Sequence, residues 1–341
     1  MGSRKMSRTL LAVAVFFIVA VIFSGIAEAK MTLRMVGFLP VQHHITATSE
    51  VFIKEVQRAT NGEIEIQHFP AGQLYTHKSS VPVLQTGGVD LGLVQTGFWT
   101  GVAPTINIMA YMSYFNNFEH YRAVMDGYPG EVMKKEFEEG GKVKVIGWAN
   151  YGKNEVASNK PIKTLEDFKG QRIRAAGGGY AHWIKAMGAA PITMDPSEVY
   201  QALQRKTIEG AISGPSTFDE RKWYEVVKYA TDSNILPCYG YWMIISLKTW
   251  AKLSPEQQKI FTHAAKMAQE SNFSKVVEVD RLATEKVKKL GMVFNKIAPA
   301  EEARWRKTAV PQLLDDYRRL VGKEKADKII NSIEDLRKKY E

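Results

Sequence analysis

Past residue 30 the chain switches between two hydrophobic periods, two residues and about 3.6, and glycine, proline or asparagine marks each switch. Short apolar or alternating runs predict strands at Thr32–Phe38, Ile64–Phe69, Leu91–Gln95 and Val143–Trp148. Helical spacing predicts helices over Thr46–Thr60, stopped by Asn61-Gly62, over Ser79–Thr86 and over Glu119–Phe137. Strands alternating with helices imply a parallel-type sheet covered on both faces.

A second series of the same kind follows Lys160. Thr164 caps a short helix, and strands at Gln171–Arg174, Ala190–Met194 and Glu209–Ser213 alternate with helices at Ala181–Met187 and Ser197–Arg205. The apolar run Tyr241–Leu247 reads as a strand returning to the first series. Ser254-Pro255-Glu256-Gln257 then forms a capping box with proline at the first helical position. Apolar residues at helical spacing continue from there to Gly291, a helix of roughly 50 Å if unbroken. The alternative is two helices joined by a kink near Ser271–Ser274, where helix formers are weak. From Glu301 onward the chain is charged and mostly helical.

These elements predict an α/β fold of two domains. Residues 30–152 with 241–272 make the first and 153–240 with 273–310 the second, leaving 311–341 as a C-terminal helical segment. A length of 341 residues agrees, since one hydrophobic core rarely spans so long a chain. Residues 1–29 stand apart. A basic start (Arg4, Lys5, Arg8), an apolar run from Leu10 to Ile26 and the small-x-small ending Ala27-Glu28-Ala29 are the parts of a cleavable signal peptide. An uncleaved anchor is the rival reading, because the apolar run approaches the length that spans a bilayer.

Charge changes the picture little. The chain carries a net charge of +10 and stays basic without its leader, but Lys and Arg are dispersed, and export argues against nucleic acid as a partner. Cys238 is the single cysteine, so no intramolecular disulfide can form, and none lies at the cleavage site to carry a lipid. An exported chain without an anchor is retained behind an outer membrane, which points to the periplasm.

Chemistry is sparse. The chain lacks a Gly-x-Ser-x-Gly elbow, a His-Glu-x-x-His motif and a second cysteine, so neither an enzyme nor a resident metal or cofactor is expected. His43 and His44 are adjacent, a poor arrangement for chelation, and are expected at a pocket rim or on the surface. Gly177-Gly178-Gly179 lies between a strand and a helix but lacks a following Lys-Ser/Thr, so close backbone approach is its expected use rather than phosphate binding. Arg174 ends its strand just before those glycines, where α/β sheets place ligands and where a planar guanidinium can grip a carboxylate through two parallel bonds. By sequence alone it could equally be a solvated arginine like Arg172.

Longer matches decide between these readings. Pro161-Ile162-Lys163-Thr164, Glu166-Asp167-Phe168-Lys169-Gly170 and Gln171-Arg172-Ile173-Arg174 run together, followed by Gly188-Ala189-Ala190-Pro191 and Glu198-Val199-Tyr200-Gln201-Ala202-Leu203-Gln204. With Pro70-Ala71-Gly72-Gln73-Leu74, Gly88-Val89-Asp90-Leu91 and Leu253-Ser254-Pro255-Glu256-Gln257, the chain resembles the periplasmic solute-binding subunits of TRAP transporters, the dicarboxylate-binding type. The resemblance covers essentially the whole chain after the leader. It implies a two-domain periplasmic binding protein, a clamp with a long domain-spanning helix, that captures a small organic acid by hinge closure and delivers it to the TRAP membrane permease. Delivery to a sensor kinase is the alternative role on the same fold.

Site residues follow from the same likeness. Arg174 falls where relatives form a salt bridge to the ligand carboxylate. Asn154 stands where a second arginine is common, Ser213 where an asparagine contacts ligand, Gln95 where some relatives have glutamate, and Phe38 at a frequent lining position. Aromatics lie close to these positions: Trp99, Trp148, Tyr151, Tyr180, Trp183, Tyr239 and Trp242, of which Trp148, Tyr151, Tyr180, Trp183 and Tyr239 complete the expected ligand-binding set. As a group they imply an apolar cleft floor and a monocarboxylate with a hydrophobic body. A monomer is expected.

Overall fold

The computed structural model describes residues 30–234 and 240–340; residues 1–29, on which the expected signal peptide falls, and Cys238 and Tyr239 lie outside them. The strands are β1 (Met31–Val36), β2 (Ile64–Phe69), β3 (Leu91–Gln95), β4 (Val143–Asn150), β5 (Glu155–Ser158), β6 (Arg172–Ala175), β7 (Ala190–Thr193), β8 (Gly210–Ser213), β9 (Tyr229–Asp232), β10 (Gly240–Ser246) and β11 (Val293–Lys296). They form two sheets. The first has the order β2-β1-β3-β10-β4 and the second β11-β9-β5-β8-β6-β7.

Each sheet is mixed rather than parallel throughout. β10 runs antiparallel to both β3 and β4, and every one of its residues is buried, as its uninterrupted apolar sequence requires. In the second sheet β5 is antiparallel to β8 and β9. Sequence pattern missed β5, β9 and β11, four-residue strands too short to display a period.

Two helices differ from expectation. The segment expected as Glu119–Phe137 is two helices, Phe118–Asp126 and Tyr128–Gly141, broken at Gly127, with Asn117 capping the first and Pro129 in the first turn of the second. The long helix is also two, Pro255–Phe273 and Val276–Lys289, with the break at Ser274-Lys275, as the kinked alternative has it. The capping box forms: Ser254 Oγ accepts from the Gln257 amide at 3.2 Å, and Gln257 Oε1 accepts from the Ser254 amide at 3.0 Å.

The chain leaves the first sheet through Tyr151–Asn154, returns between β9 and β10, and crosses again between the two long helices. The first and third crossings are tied together. Asn272, buried in the last turn of its helix, accepts from the Asn150 amide at 2.7 Å and donates to the Asn150 carbonyl at 3.1 Å. Gly152, at φ +99°, sits against the Asp280 carboxylate, where a Cβ would have no room. Asp280 accepts from the Lys153 amide at 2.5 Å, and Lys153 Nζ reaches Glu155 at 2.7 Å and Asp232 at 2.9 Å.

The C-terminal helices Pro299–Val321 and Lys323–Arg337 bind the two layers to each other. Trp305 packs edge-on against Phe168 and Trp183 beside the second sheet, while Tyr317 donates to the Thr105 carbonyl at 2.9 Å on the first-sheet side. Gly177-Gly178-Gly179 complete the junction. A Cβ on Gly177 would collide with the Gly97 carbonyl and one on Gly179 with Asn107 and Ala110. The close approach expected of the triplet is therefore to the backbone of the first-sheet layer.

Two consequences can be measured. Asn272→Ala orphans two buried backbone groups and should cost about 3 kcal/mol of stability in urea denaturation. Burial pushes the Asp280 carboxyl up to about 7, against the pull of Lys153. Its protonated form is the one folding favours, so the stability it contributes is present in acid and lost as pH rises through 7. Asp280→Asn keeps an acceptor for Lys153 and removes that loss. Relative to the parent it should gain up to about 4 kcal/mol between pH 4 and 8; parallel melting-temperature curves for the two proteins would contradict the assignment.

Candidate functional site

Arg174 is the third residue of β6, with its side chain pointing between the sheets, and only 2% of the residue is exposed. Its Nε and Nη2 donate to the Met194 carbonyl at 3.3 and 3.2 Å, and Nη1 donates to the Ile212 carbonyl at 3.2 Å. A guanidinium has five N–H groups, so these bonds leave two unused. Among the described residues no carboxylate lies within ion-pair distance of it. Burial lowers its pKa, yet an arginine stays protonated at any physiological pH. The site thus holds a full positive charge, out of water and fixed by carbonyls, on which Asp195 acts only from beyond ion-pair distance.

That charge faces a small cavity lined by residues of both layers, including Leu39, Gln95, Tyr151, Asn154, Ser213 and Tyr241. Little open space remains in it, so the walls are nearly closed on each other. Three contacts between the layers hold them there. The His77 amide donates to Asp195 at 3.2 Å, and Arg221 Nη2 donates to the Phe38 carbonyl at 3.1 Å. His43 Nδ1 accepts from the Ile45 amide, which leaves the proton on Nε2 to reach Ser216 Oγ at 3.4 Å.

Five of the expected residues come together in this cavity: Arg174, Asn154, Gln95, Ser213 and Tyr151. Gln95 arrives there because it is the last residue of β3, Ser213 because it ends β8, and Tyr151 and Asn154 because they lie on the first crossing. Tyr151 Oη contacts Ser213 Oγ at 2.8 Å and also Thr217 Oγ1. Burial raises the Tyr151 pKa, so the phenol keeps its proton.

The remaining expected residues lie elsewhere. Phe38 packs on His77 with ring centroids 3.9 Å apart, and its neighbour Leu39 takes the lining position. Trp148 packs edge-on against Phe273 and lines a separate groove with Arg122, Lys134 and Trp242. Trp183 and Tyr180 belong to the buried face of helix Gly178–Ala186, with Trp183 Nε1 donating to Ser113 at 3.2 Å. Trp99 and Trp242 both pack on Phe137. Tyr239 lies outside the described residues. Apart from Tyr151, the described aromatics expected to floor the cleft are packed elsewhere, since neighbouring positions along a strand point to opposite faces.

Sequence pattern missed Thr217, Trp223 and Tyr241. Tyr241 opens the apolar run assigned to β10, where its alternation with Trp242 was the available signal. Trp223 follows a charged stretch and carried none. His43 is not a rim or surface residue either, while His44 beside it is half-buried. His43 is fully buried, and its ring stacks on Tyr151 at 5.4 Å. Burial holds His43 well below its ordinary range, His44 down to about 4 and His77 down to about 3, the last against the pull of Asp195. All three are neutral, so they add no charge beside Arg174. Among the described residues no cluster of His, Cys, Asp or Glu has the geometry of a metal site.

A cationic anchor between two closing layers, without a nucleophile or metal, is the equipment of a receptor for an anion. Comparison with known proteins agrees. Residues 36–319 match the family model described as bacterial extracellular solute-binding protein, family 7. An uncharacterized Salmonella typhimurium protein, YiiZ, is 32% identical over 259 residues, 73% of this chain and 78% of its own. A TRAP periplasmic solute-binding protein from Haemophilus influenzae, solved with bound L-gulonate, is 25% identical with a TM-score of 0.83, covering 90% of this chain and 100% of that one. A Desulfovibrio salexigens protein of the same description, solved with orotic acid, shares the fold at a TM-score of 0.85 and 24% identity, over 91% of this chain and 99% of that one. The chain belongs to the family 7 extracellular solute-binding proteins, the solute-binding proteins of TRAP transporters, which bind solutes and do not convert them.

Proposed function

We propose that the protein is exported to the periplasm by cleavage after Ala29, captures a small organic carboxylate by closing its two layers around it, and presents the closed form to a TRAP permease. The observation that carries this is the Arg174 guanidinium, buried with two N–H groups unused and without a carboxylate partner among the described residues. An isolated buried charge is costly, and an anion delivered from outside is what removes the cost. A carboxylate presents two oxygens at the spacing of the guanidinium fork. L-gulonate, held by the Haemophilus influenzae relative, is itself a carboxylate.

Asn154, Gln95, Ser213 and Tyr151 complete the proposed ligand set, since they line the same cavity. Closure follows from their placement. Gln95 belongs to the first sheet, whereas Arg174 and Ser213 belong to the second, so a ligand touching all three binds the closed form better than the open one and shifts the population toward it. No nucleotide-binding loop is present in the sequence, so the energy of transport has to come from the permease side.

The test is a thermal-shift screen of the protein from Lys30 onward against small carboxylic acids, repeated with Arg174→Ala. A true ligand at a hundred times its Kd should stabilise the parent by about 3 kcal/mol. Arg174→Ala should lose affinity by roughly a hundredfold or more and show no shift at the same concentration. A shift that survives the substitution would remove Arg174 from the site. Mass spectrometry of the exported protein should find Lys30 at its N-terminus, and X-ray scattering should show a smaller radius of gyration with ligand than without.

A further inference from the structure

Arg174 accounts for one end of a ligand, and the same cavity contains polar atoms that it does not explain. Gln95, at the end of β3, is 6% exposed, and its Oε1 is buried without a hydrogen-bond partner. Trp223 lies beyond helix Pro215–Glu220, on the second-sheet side. It is 1% exposed and stacked on Phe218 at 5.4 Å, and its indole N–H is likewise buried and unpartnered. Both residues line the cavity that Arg174 faces. Buried polar atoms in native proteins are nearly always satisfied, and an orphan inside a binding cleft is most simply satisfied by what binds there.

The hydroxyl groups add to this count. Tyr151, Ser213 and Thr217 bring three hydroxyl protons, and their two mutual contacts use two of them, so one O–H donor is left over. The cavity thus offers an unused acceptor from the first sheet, Gln95 Oε1. From the second sheet it offers an unused donor, Trp223 Nε1–H, besides the guanidinium and the spare hydroxyl proton. Hydroxyl is the small group that donates and accepts at once. A purely hydrophobic ligand body would seal these atoms from water and leave them unpaired.

We infer that Trp223 and Gln95 form a second recognition pole that reads hydroxyl groups on the cargo, so that the substrate class is a compact hydroxylated carboxylate rather than one with an apolar or aromatic body. The inference rests on the carboxylate reading of Arg174 and narrows it. Because the two residues come from opposite layers, the hydroxyl contacts are made together only when the clamp is closed, which couples specificity to closure. Trp223 is assigned here as a specificity residue through contact with the cargo.

The experiment uses matched pairs that differ by one hydroxyl: glycolate with acetate, lactate with propionate, 3-hydroxypropionate with propionate, and mandelate with phenylacetate. Affinities are measured calorimetrically for the protein from Lys30 onward and for Trp223→Phe and Gln95→Leu, each first checked for a cooperative melt. In the parent, hydroxylated members should bind at least roughly a hundredfold tighter than their partners, as sites built to pair a hydroxyl reject its absence. The ratio should fall toward unity in either variant that folds. Equal binding of both members in the parent, or an unchanged ratio in the variants, overturns the inference while leaving the carboxylate reading intact. Failure of every carboxylate to bind would sink that reading and this one together.

Discussion

The structure is organised around one unpaid electrostatic debt, the positive charge of Arg174 in the space between the sheets. A guanidinium brought out of water needs acceptors, and the protein supplies only neutral ones, the carbonyls of Met194 and Ile212. Met194 follows β7 directly and Ile212 lies within β8, so the register of three neighbouring strands in the second sheet fixes the direction of the side chain. The surroundings leave the charge without a direct ion pair. His43, His44 and His77 are uncharged through burial, and Asp195 is engaged by the His77 amide and by Ser197. An anchor arranged in this way distinguishes strongly between an anion and a neutral molecule, because only the former restores the balance.

A clamp also needs layers that can separate without either one unfolding. The first and third crossings are short, and their backbone groups are satisfied locally, by Asn272 on Asn150 and by Asp280 on Lys153. The contacts that hold the mouth shut are few and polar: an amide on Asp195, a guanidinium on the Phe38 carbonyl, an imidazole on Ser216. Water can replace each of them at little net cost. By contrast, Gly177-Gly178-Gly179 press closely on the backbone of the first-sheet layer and Trp305 packs on two aromatic rings, which suits a fixed junction about which the mouth opens. Cargo bound to both walls then supplies the differential affinity that closure requires.

How legible was this in the sequence? Element succession was, because helical and strand periods survive in long segments such as Thr46–Thr60 and Leu91–Gln95. Arg174 was legible for a different reason: its place at a strand end, before three glycines and within an extended motif, constrained it more than its residue type did. Where helix Glu119–Phe137 divided at Gly127, the pattern on both sides was amphipathic, and only the local backbone at a glycine before Tyr-Pro marked the break.

By itself, then, the sequence determined the two series of strands and helices, the family, and the residue that holds the charge, since all of these depend on neighbours along the chain. Tertiary structure alone decided which side chains meet that residue. It brought Tyr241, Thr217 and Trp223 to the cavity from three separate segments and turned Trp148, Tyr180 and Trp183 away into packing. Short strands such as β5, β9 and β11 acquire their conformation only from the partners they pair with. Facing across a cleft depends on sheet order, crossing points and strand register, and these are set by long-range pairing that no local period records.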